Sequence, residues 1–201
     1  MMTDRELIIG GFVPFSATDY PDHLCAVVFC QGCPWRCGYC HNVHLQPSAS
    51  GAAISWEDVV LFLHRRRGLL DAVVFSGGEP TMQRALADAV RAVKALGFNV
   101  GVHTAGIYPR HLAKLLPLVD WVGLDVKAPF DRYDSVTGVR GSEARAKRSL
   151  DLVLASGVSY ELRTTVDRAL LGESDLAQLS AELPRMGVRR HVLQACRAPG
   201  T

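Results

Sequence analysis

The sequence predicts an α/β protein, a partial (β/α)6 TIM-like barrel of parallel strands forming one domain over residues 1–201. Three observations predict it. Six short apolar runs, rich in β-branched residues, alternate along the chain with helical patterns, and such alternation builds a parallel sheet. Almost every unusual polar group falls at the C-terminal end of one of these runs, where barrel active sites gather. A flat doubly wound sheet fits the same string but draws on fewer strand ends, near its switch point. Finally, 201 residues with 48% hydrophobic content can bury a core without covalent staples.

The elements follow in order. After a short N-terminal extension, 1–23, residues 24–30 (LCAVVFC) read as a buried strand, and a cysteine-bearing loop, 31–53, follows. Ser55, with Asp58 three residues on, makes a capping-box start for a helix running to about Arg67. Residues 72–75 (AVVF) are the second strand, stopped by Gly77 and Gly78. A helix over 83–96 ends at Gly97. Residues 99–103 (NVGVH) are the third strand, and 109–116 a short helix with Pro109 at its start. The fourth strand is 121–125 (WVGLD), followed by a helix over 142–156 that ends at Gly157. The fifth strand is 159–165, the last helix 173–183 and the sixth strand 191–194. Right-handed crossovers place the helices in one outer layer if the sheet curls.

Composition excludes several classes of partner. Lys and Arg number 22 against 20 Asp and Glu, a net charge of +2, with no basic stripe interleaved with aromatics. Neither nucleic acid nor an anionic membrane surface is indicated. The polar start lacks the hydrophobic stretch of a signal peptide, and no apolar run approaches the roughly 20 residues of a membrane helix. Five of the six cysteines, Cys25, Cys30, Cys33, Cys37 and Cys40, crowd one segment, and Cys196 stands apart. With no export signal they read as thiols for metal in the cytoplasm, not as disulfides.

The spacing Cys33-x3-Cys37-x2-Cys40 is the most informative motif. Three thiolates so close can hold three irons of a 4Fe–4S cube and leave the fourth iron open to a small molecule. The competing reading is a zinc knuckle in which Cys30 joins Cys33, Cys37 and Cys40 as a fourth thiolate. Against it, Cys30 closes a hydrophobic strand, where a small buried cysteine is commonplace. Cys25 and Cys196 read as buried apolar cysteines.

Downstream, Ser76-Gly77-Gly78-Glu79-Pro80 reads either as a turn with two flexible residues or as a ligand loop. In the second reading the glycines let a ligand approach the main chain, and carbonyls plus Glu79 accept from an amino group. Asp125 and Lys127 share one side of an extended chain, as a plain ion pair or as contacts to a ligand's hydroxyl and carboxylate. Arg163 reads as a salt bridge at the core rim or a carboxylate clamp. His103 and Thr104 could line the pocket, although a lone histidine after a strand is more often simply hydrogen-bonded.

These residues resemble the radical S-adenosylmethionine superfamily. The resemblance rests on Cys33, Cys37, Tyr39 and Cys40, then on Gly77, Gly78, Glu79 and Pro80, and spans nearly the whole chain. More narrowly, the sequence is similar to anaerobic ribonucleoside-triphosphate reductase activating proteins. That closer match lies in GFVPFS (11–16), DYP (19–21), QGC (31–33), RRGLLD (66–71), WVGLD (121–125) and RTTV (163–166). The resemblance implies that Cys33, Cys37 and Cys40 hold one 4Fe–4S cluster whose open iron chelates S-adenosylmethionine. It implies that Tyr39 sits near adenine, that Gly77, Gly78, Glu79 and Pro80 hold the methionine amino group, and that Asp125 and Lys127, a D-x-K motif, contact ligand. Thr104 and Arg163 are further candidates for cofactor contact. Reductive cleavage would yield a 5′-deoxyadenosyl radical that takes a hydrogen from a glycine of a partner reductase, with flavodoxin or ferredoxin as electron donor. Some related activating enzymes carry an Asp for a cation site where His103 stands here, a departure that bears on any such site. The alternatives are a short enzyme of the same superfamily acting on a small molecule, in the manner of 7-carboxy-7-deazaguanine synthase, and a zinc-stabilised binding module without activity.

Overall fold

The computed structural model describes residues 6–48 and 54–196. The remainder of the N-terminal extension, the end of the cysteine loop (49–53) and residues 197–201 lie outside the described residues. The first element, strand β1 (Ile9–Ser16), falls inside the expected extension. Its sequence, IGGFVPFS, alternates poorly and holds two glycines and a proline, which hides a strand from pattern reading. It pairs antiparallel with β2 (Cys25–Cys30) through two register irregularities that absorb those residues. Five more strands follow: β3 (Ala72–Gly77), β4 (Asn99–Thr104), β5 (Trp121–Asp125), β6 (Ser159–Val166) and β7 (His191–Ala195). Among the described residues the sheet therefore has seven strands in the order β1-β2-β3-β4-β5-β6-β7, parallel from β2 onward. Because the order never reverses, right-handed crossovers put every connecting helix on the same side. This is the layout of a partial barrel, not of a doubly wound sheet.

The outer layer comprises α1 (Trp56–His64), α2 (Leu86–Ala95), α3 (Pro109–Leu115), α4 (Tyr133–Thr137), α5 (Ser142–Ser156) and α6 (Glu173–Arg185). Ser55 caps α1 as expected, accepting from the Asp58 amide at 3.0 Å, but the helix ends at His64, short of Arg67. Helix α2 starts three residues later than expected. A 3-10 turn at Pro80–Met82 comes first, and Gln83 is extended. The five-residue α4 was not anticipated from sequence; it is too short to show a period. Among the described residues no helix is long and apolar enough to cross a membrane.

Strand alternation divides the core in two. Ala26, Val28 and Cys30 of β2, with Val73, Phe75, Val100, Val102, Val122, Leu124 and Leu162, face the helices and form the main core. A fully buried side chain of this kind contributes about 1.5–3 kcal/mol. On the opposite face Cys25, Val27, Ala72, Val74, Tyr20 and Trp121 form a second, smaller cluster. Tyr20, from the β1–β2 connection, stacks on Trp121 at 5.2 Å. The inner face is thus apolar at the N-terminal ends of the strands and polar at their C-terminal ends.

Candidate active site

The cysteine loop leaves β2 and is held from two sides. On one side, Gly32 N donates to Leu45 O at 2.7 Å and Cys33 N to Gln46 O at 3.0 Å. The Gln31 side chain closes the same loop by donating to Pro47 O at 2.7 Å and His44 O at 3.1 Å. On the other side, Arg36 N and Gly38 N donate to Thr137 O and Val136 O at the end of α4. Arg36 Nη1 donates back to Cys33 O and Trp35 O. Trp35 is buried against Tyr133, ring centroids 5.9 Å apart. Sequence reasoning gave no role to Arg36, Trp35 or Tyr133 and placed Gln31 only within the QGC match, because each works through the main chain or through packing.

Cys33, Cys37 and Cys40 are free and partly exposed on this loop. Burial pushes the Cys33 thiol up to about 12. It also raises Cys37, against the pull of the Lys127 charge. Protonated thiols of this kind release protons when they take a metal. Cys30 is fully buried on the helix-facing side of β2, so the four-sulfur zinc set is not assembled. Among the described residues no three His, Cys, Asp or Glu side chains gather as ligands of a single ion. Cluster ligation differs, since each thiolate takes its own iron. Cys25 is buried, as expected. Cys196 is not: it follows the edge strand β7 and lies partly exposed, its Sγ 3.5 Å from His41 Nε2.

The Gly77–Pro80 turn packs directly on the cysteine loop. Gly78 N donates to Cys30 O at 2.9 Å, and Glu79 N to Gly32 O at 2.8 Å. A Cβ on Gly77 would lie 2.5 Å from Cys30 N, and one on Gly78 2.3 Å from Gly32 O. The glycines therefore let two loops of the protein meet, a packing role that neither the turn reading nor the ligand-loop reading of the sequence included. The Glu79 carboxylate is likewise occupied within the protein. Its Oε1 accepts from Thr81 N, Thr81 Oγ1 and Thr104 Oγ1, and its Oε2 from Ala105 N at 3.0 Å. Burial raises the Glu79 pKa while these bonds pull the other way. Glu79 and Thr104 staple the ends of β3 and β4 together, which leaves the main chain of the turn as the part available to a ligand. Pro80 is buried at the start of its 3-10 turn.

The inner face contributes the polar floor. Lys127 Nζ donates to Asp125 Oδ2 at 2.8 Å and lies 5.6 Å from the centre of the Tyr39 ring. It thereby joins the end of β5 to the cysteine loop. Burial opposes the Asp125 charge, but Lys127 and Arg163 outweigh it and lower the pKa. Burial opposes the Lys127 charge too, and Asp125 reverses the balance, raising its pKa well above the usual lysine value. Arg163 lies across the inner face in the space left by Gly123, where a Cβ would stand 2.7 Å from its Nη2. Its Nε is 3.6 Å from Asp125 Oδ1, too far for a hydrogen bond, and is buried without a hydrogen-bond partner. Its Nη1 is 3.3 Å from His103 Nε2. That nitrogen lies 2.7 Å from Asp19 O, so it carries the proton and cannot accept from arginine. Burial, then the Arg163 charge, lowers the His103 pKa to about 4. The floor thus holds two cations, one anion and a neutral imidazole, with donors left over on Arg163. The Tyr39 hydroxyl is also buried without a hydrogen-bond partner. Three thiols on one loop, with orphaned donors on Arg163 and Tyr39 beside them, fit an iron–sulfur cluster next to an organic ligand that carries a carboxylate.

Residues 27–175 match the profile of the Radical SAM superfamily. The chain belongs to that superfamily, whose members hold a 4Fe–4S cluster through a cysteine motif and bind S-adenosylmethionine. Within it, the chain is similar to a Methanocaldococcus jannaschii protein named as a glycyl-radical enzyme activating enzyme. They are 33% identical over 185 residues, 87% of this chain and 75% of that one. It is also similar to the pyruvate formate-lyase-activating enzyme of Clostridium pasteurianum, 34% identical over 131 residues, which are 62% of this chain and 52% of that enzyme. The chain thus spans about half the length of that relative. Among solved structures, Streptococcus suis SuiB bound to S-adenosylmethionine superposes with a TM-score of 0.67 at 15% identity, over 85% of this chain and 40% of that one. At that identity the likeness shows the fold alone.

Proposed function

We propose that this chain cleaves S-adenosylmethionine reductively at a 4Fe–4S cluster held by Cys33, Cys37 and Cys40, and so installs a glycyl radical on a partner enzyme, the anaerobic ribonucleoside-triphosphate reductase. The observation that carries the proposal is Lys127, whose ammonium pairs with Asp125 and stands over the Tyr39 ring, tying the polar floor to the cysteine loop. When bound, cluster and S-adenosylmethionine supply one-electron cleavage of a C–S bond, giving methionine and the radical that takes hydrogen from the glycine Cα. The chain's own residues do the rest. The unpaired donors of Arg163, with Lys127, receive the methionine carboxylate. The main chain of Gly77, Gly78 and Pro80 accepts from the amino group, positioned by the Glu79–Thr104 staple. Asp125 holds Lys127 charged and in place, and Tyr39 lines the adenine side. Tyr20 and Trp121 close the floor of the barrel to water, as radical chemistry requires. Similarity to the activating enzymes of glycyl-radical proteins supports the partner class. A flavodoxin or ferredoxin would deliver the electron, in the cytoplasm, where free thiols persist.

The test is anaerobic reconstitution with iron and sulfide, followed by a 5′-deoxyadenosine assay with dithionite. Wild type should form 5′-deoxyadenosine, and Cys37→Ala should lose at least about a hundredfold in rate. Equal product from both would reject the cluster assignment. With the partner reductase added, a glycyl radical signal in electron paramagnetic resonance is expected. Cofactor cleavage without it, or turnover of a small molecule alone, would reject the partner.

A further inference from the structure

One side chain outside the assigned site bonds to both the entry of β1 and the start of the cysteine loop. Gln83 stands just beyond the Pro80–Met82 turn, extended, in the gap before α2. Its Oε1 accepts from Ile8 N at 2.7 Å, and its Nε2 donates to Ile8 O at 2.8 Å and to Gln31 O at 2.9 Å. The amide thus mimics one more rung of a β-ladder. It couples the residue that enters β1, the start of the cysteine loop two residues before Cys33, and the turn that follows Gly77–Pro80. Gln31 N donates to the same Ile8 O at 2.9 Å, closing the triangle. All three bonds are partly buried, so no solvent molecule fully replaces them if the side chain is lost.

From this geometry we infer that Gln83 is a positioning residue: it fixes the cysteine loop against the Gly77–Pro80 turn, and so sets how S-adenosylmethionine meets the cluster. The inference rests on the function proposed above. The consequence is specific. The cysteine loop has its own closure through Gln31 and α4, so loss of Gln83 leaves the loop able to take up iron. What changes is the placement of the turn relative to it.

The experiment compares wild type, Gln83→Leu and Gln83→Glu. In cluster-free protein, hydrogen exchange at the amides of Gly78 and Glu79, which bond to Cys30 O and Gly32 O, should quicken about tenfold or more in Gln83→Leu. Amides of β5 and β6 should keep their wild-type rates. After reconstitution, both variants should hold wild-type iron, while the apparent KM for S-adenosylmethionine rises about tenfold and kcat falls less. The shift that S-adenosylmethionine causes in the paramagnetic resonance signal of the reduced cluster should shrink. Gln83→Glu keeps the acceptor for Ile8 N and should fall between the other two; it decides the matter if Gln83→Leu does not fold. Unchanged exchange at Gly78 and Glu79, or iron uptake falling in step with the KM change, would overturn the inference. If wild type itself makes no 5′-deoxyadenosine, the proposed function fails, while the exchange comparison still decides whether Gln83 joins the loops.

Discussion

At Gly78, two loops of the main chain come close enough that any side chain would intrude, since a Cβ would stand 2.3 Å from Gly32 O and 2.9 Å from Leu45 O. Backbone atoms cannot yield as a flexible side chain can. Gly78→Ala should therefore cost about 1–3 kcal/mol in urea unfolding and reduce iron uptake as the cysteine loop is displaced. Wild-type stability and wild-type iron would show that the loops do not meet as described. His103 supplies a second test. Its folded pKa of about 4 lies below the ordinary histidine value of 6.5, through burial and the Arg163 charge. As pH falls, the unfolded chain therefore takes a proton before the folded one does. Stability is full above about pH 6.5, declines toward pH 4 and levels off below it, a loss of up to about 3 kcal/mol. His103→Gln keeps a donor for Asp19 O and cannot titrate. Cluster-free His103→Gln should lose less stability than wild type between pH 6.5 and pH 4, by urea unfolding; parallel losses would contradict a buried neutral imidazole.

Among the elements, β2 to β5 were legible in the sequence because each is a short, mostly apolar run on a sheet covered by helices, and β6 and β7 because each follows a helical pattern. Strand β1 was not, since its glycines and Pro14 break the alternation and its pairing depends on irregularities that only the partner strand reveals. Helix α4 escaped for a different reason: five residues cannot display a period of 3.6. Yet α4 matters to the site. Its last carbonyls receive the cysteine-loop amides, and its Tyr133 hydroxyl accepts from Lys127 N at 3.0 Å. The positions of the cysteines, Asp125, Lys127 and Arg163 could be foreseen because strand ends and alternation fix them. The partners of Glu79 and the work of Gln31, Arg36 and Gln83 could not, because they depend on which carbonyl lies opposite in three dimensions. Tyr133→Phe isolates the α4 contribution. It removes the acceptor of the Lys127 amide while keeping the ring that packs on Trp35, and should lower stability by about 1–2 kcal/mol with the cysteine loop intact. No change in the urea midpoint would show that this hydroxyl does not hold the end of β5.

For the molecule as a whole, one sheet separates two tasks. Its helix-facing side carries the main core and with it most of the stability. Its inner face is sealed at one end by Tyr20 on Trp121 and left polar at the other, where the ends of β3, β4, β5 and β6 meet the cysteine loop. The polar end leaves Arg163 Nε without an acceptor; under the proposed function the carboxylate of S-adenosylmethionine would supply one, and its amino and carboxylate groups would bind the iron that no cysteine reaches. The most direct measurement is electron–nuclear double resonance on the reduced, anaerobically reconstituted protein with S-adenosylmethionine labelled by 15N in the amino group and 17O in the carboxylate. The account predicts hyperfine coupling from both labels to the cluster. A cluster ligated by four cysteines and silent to both labels would contradict it.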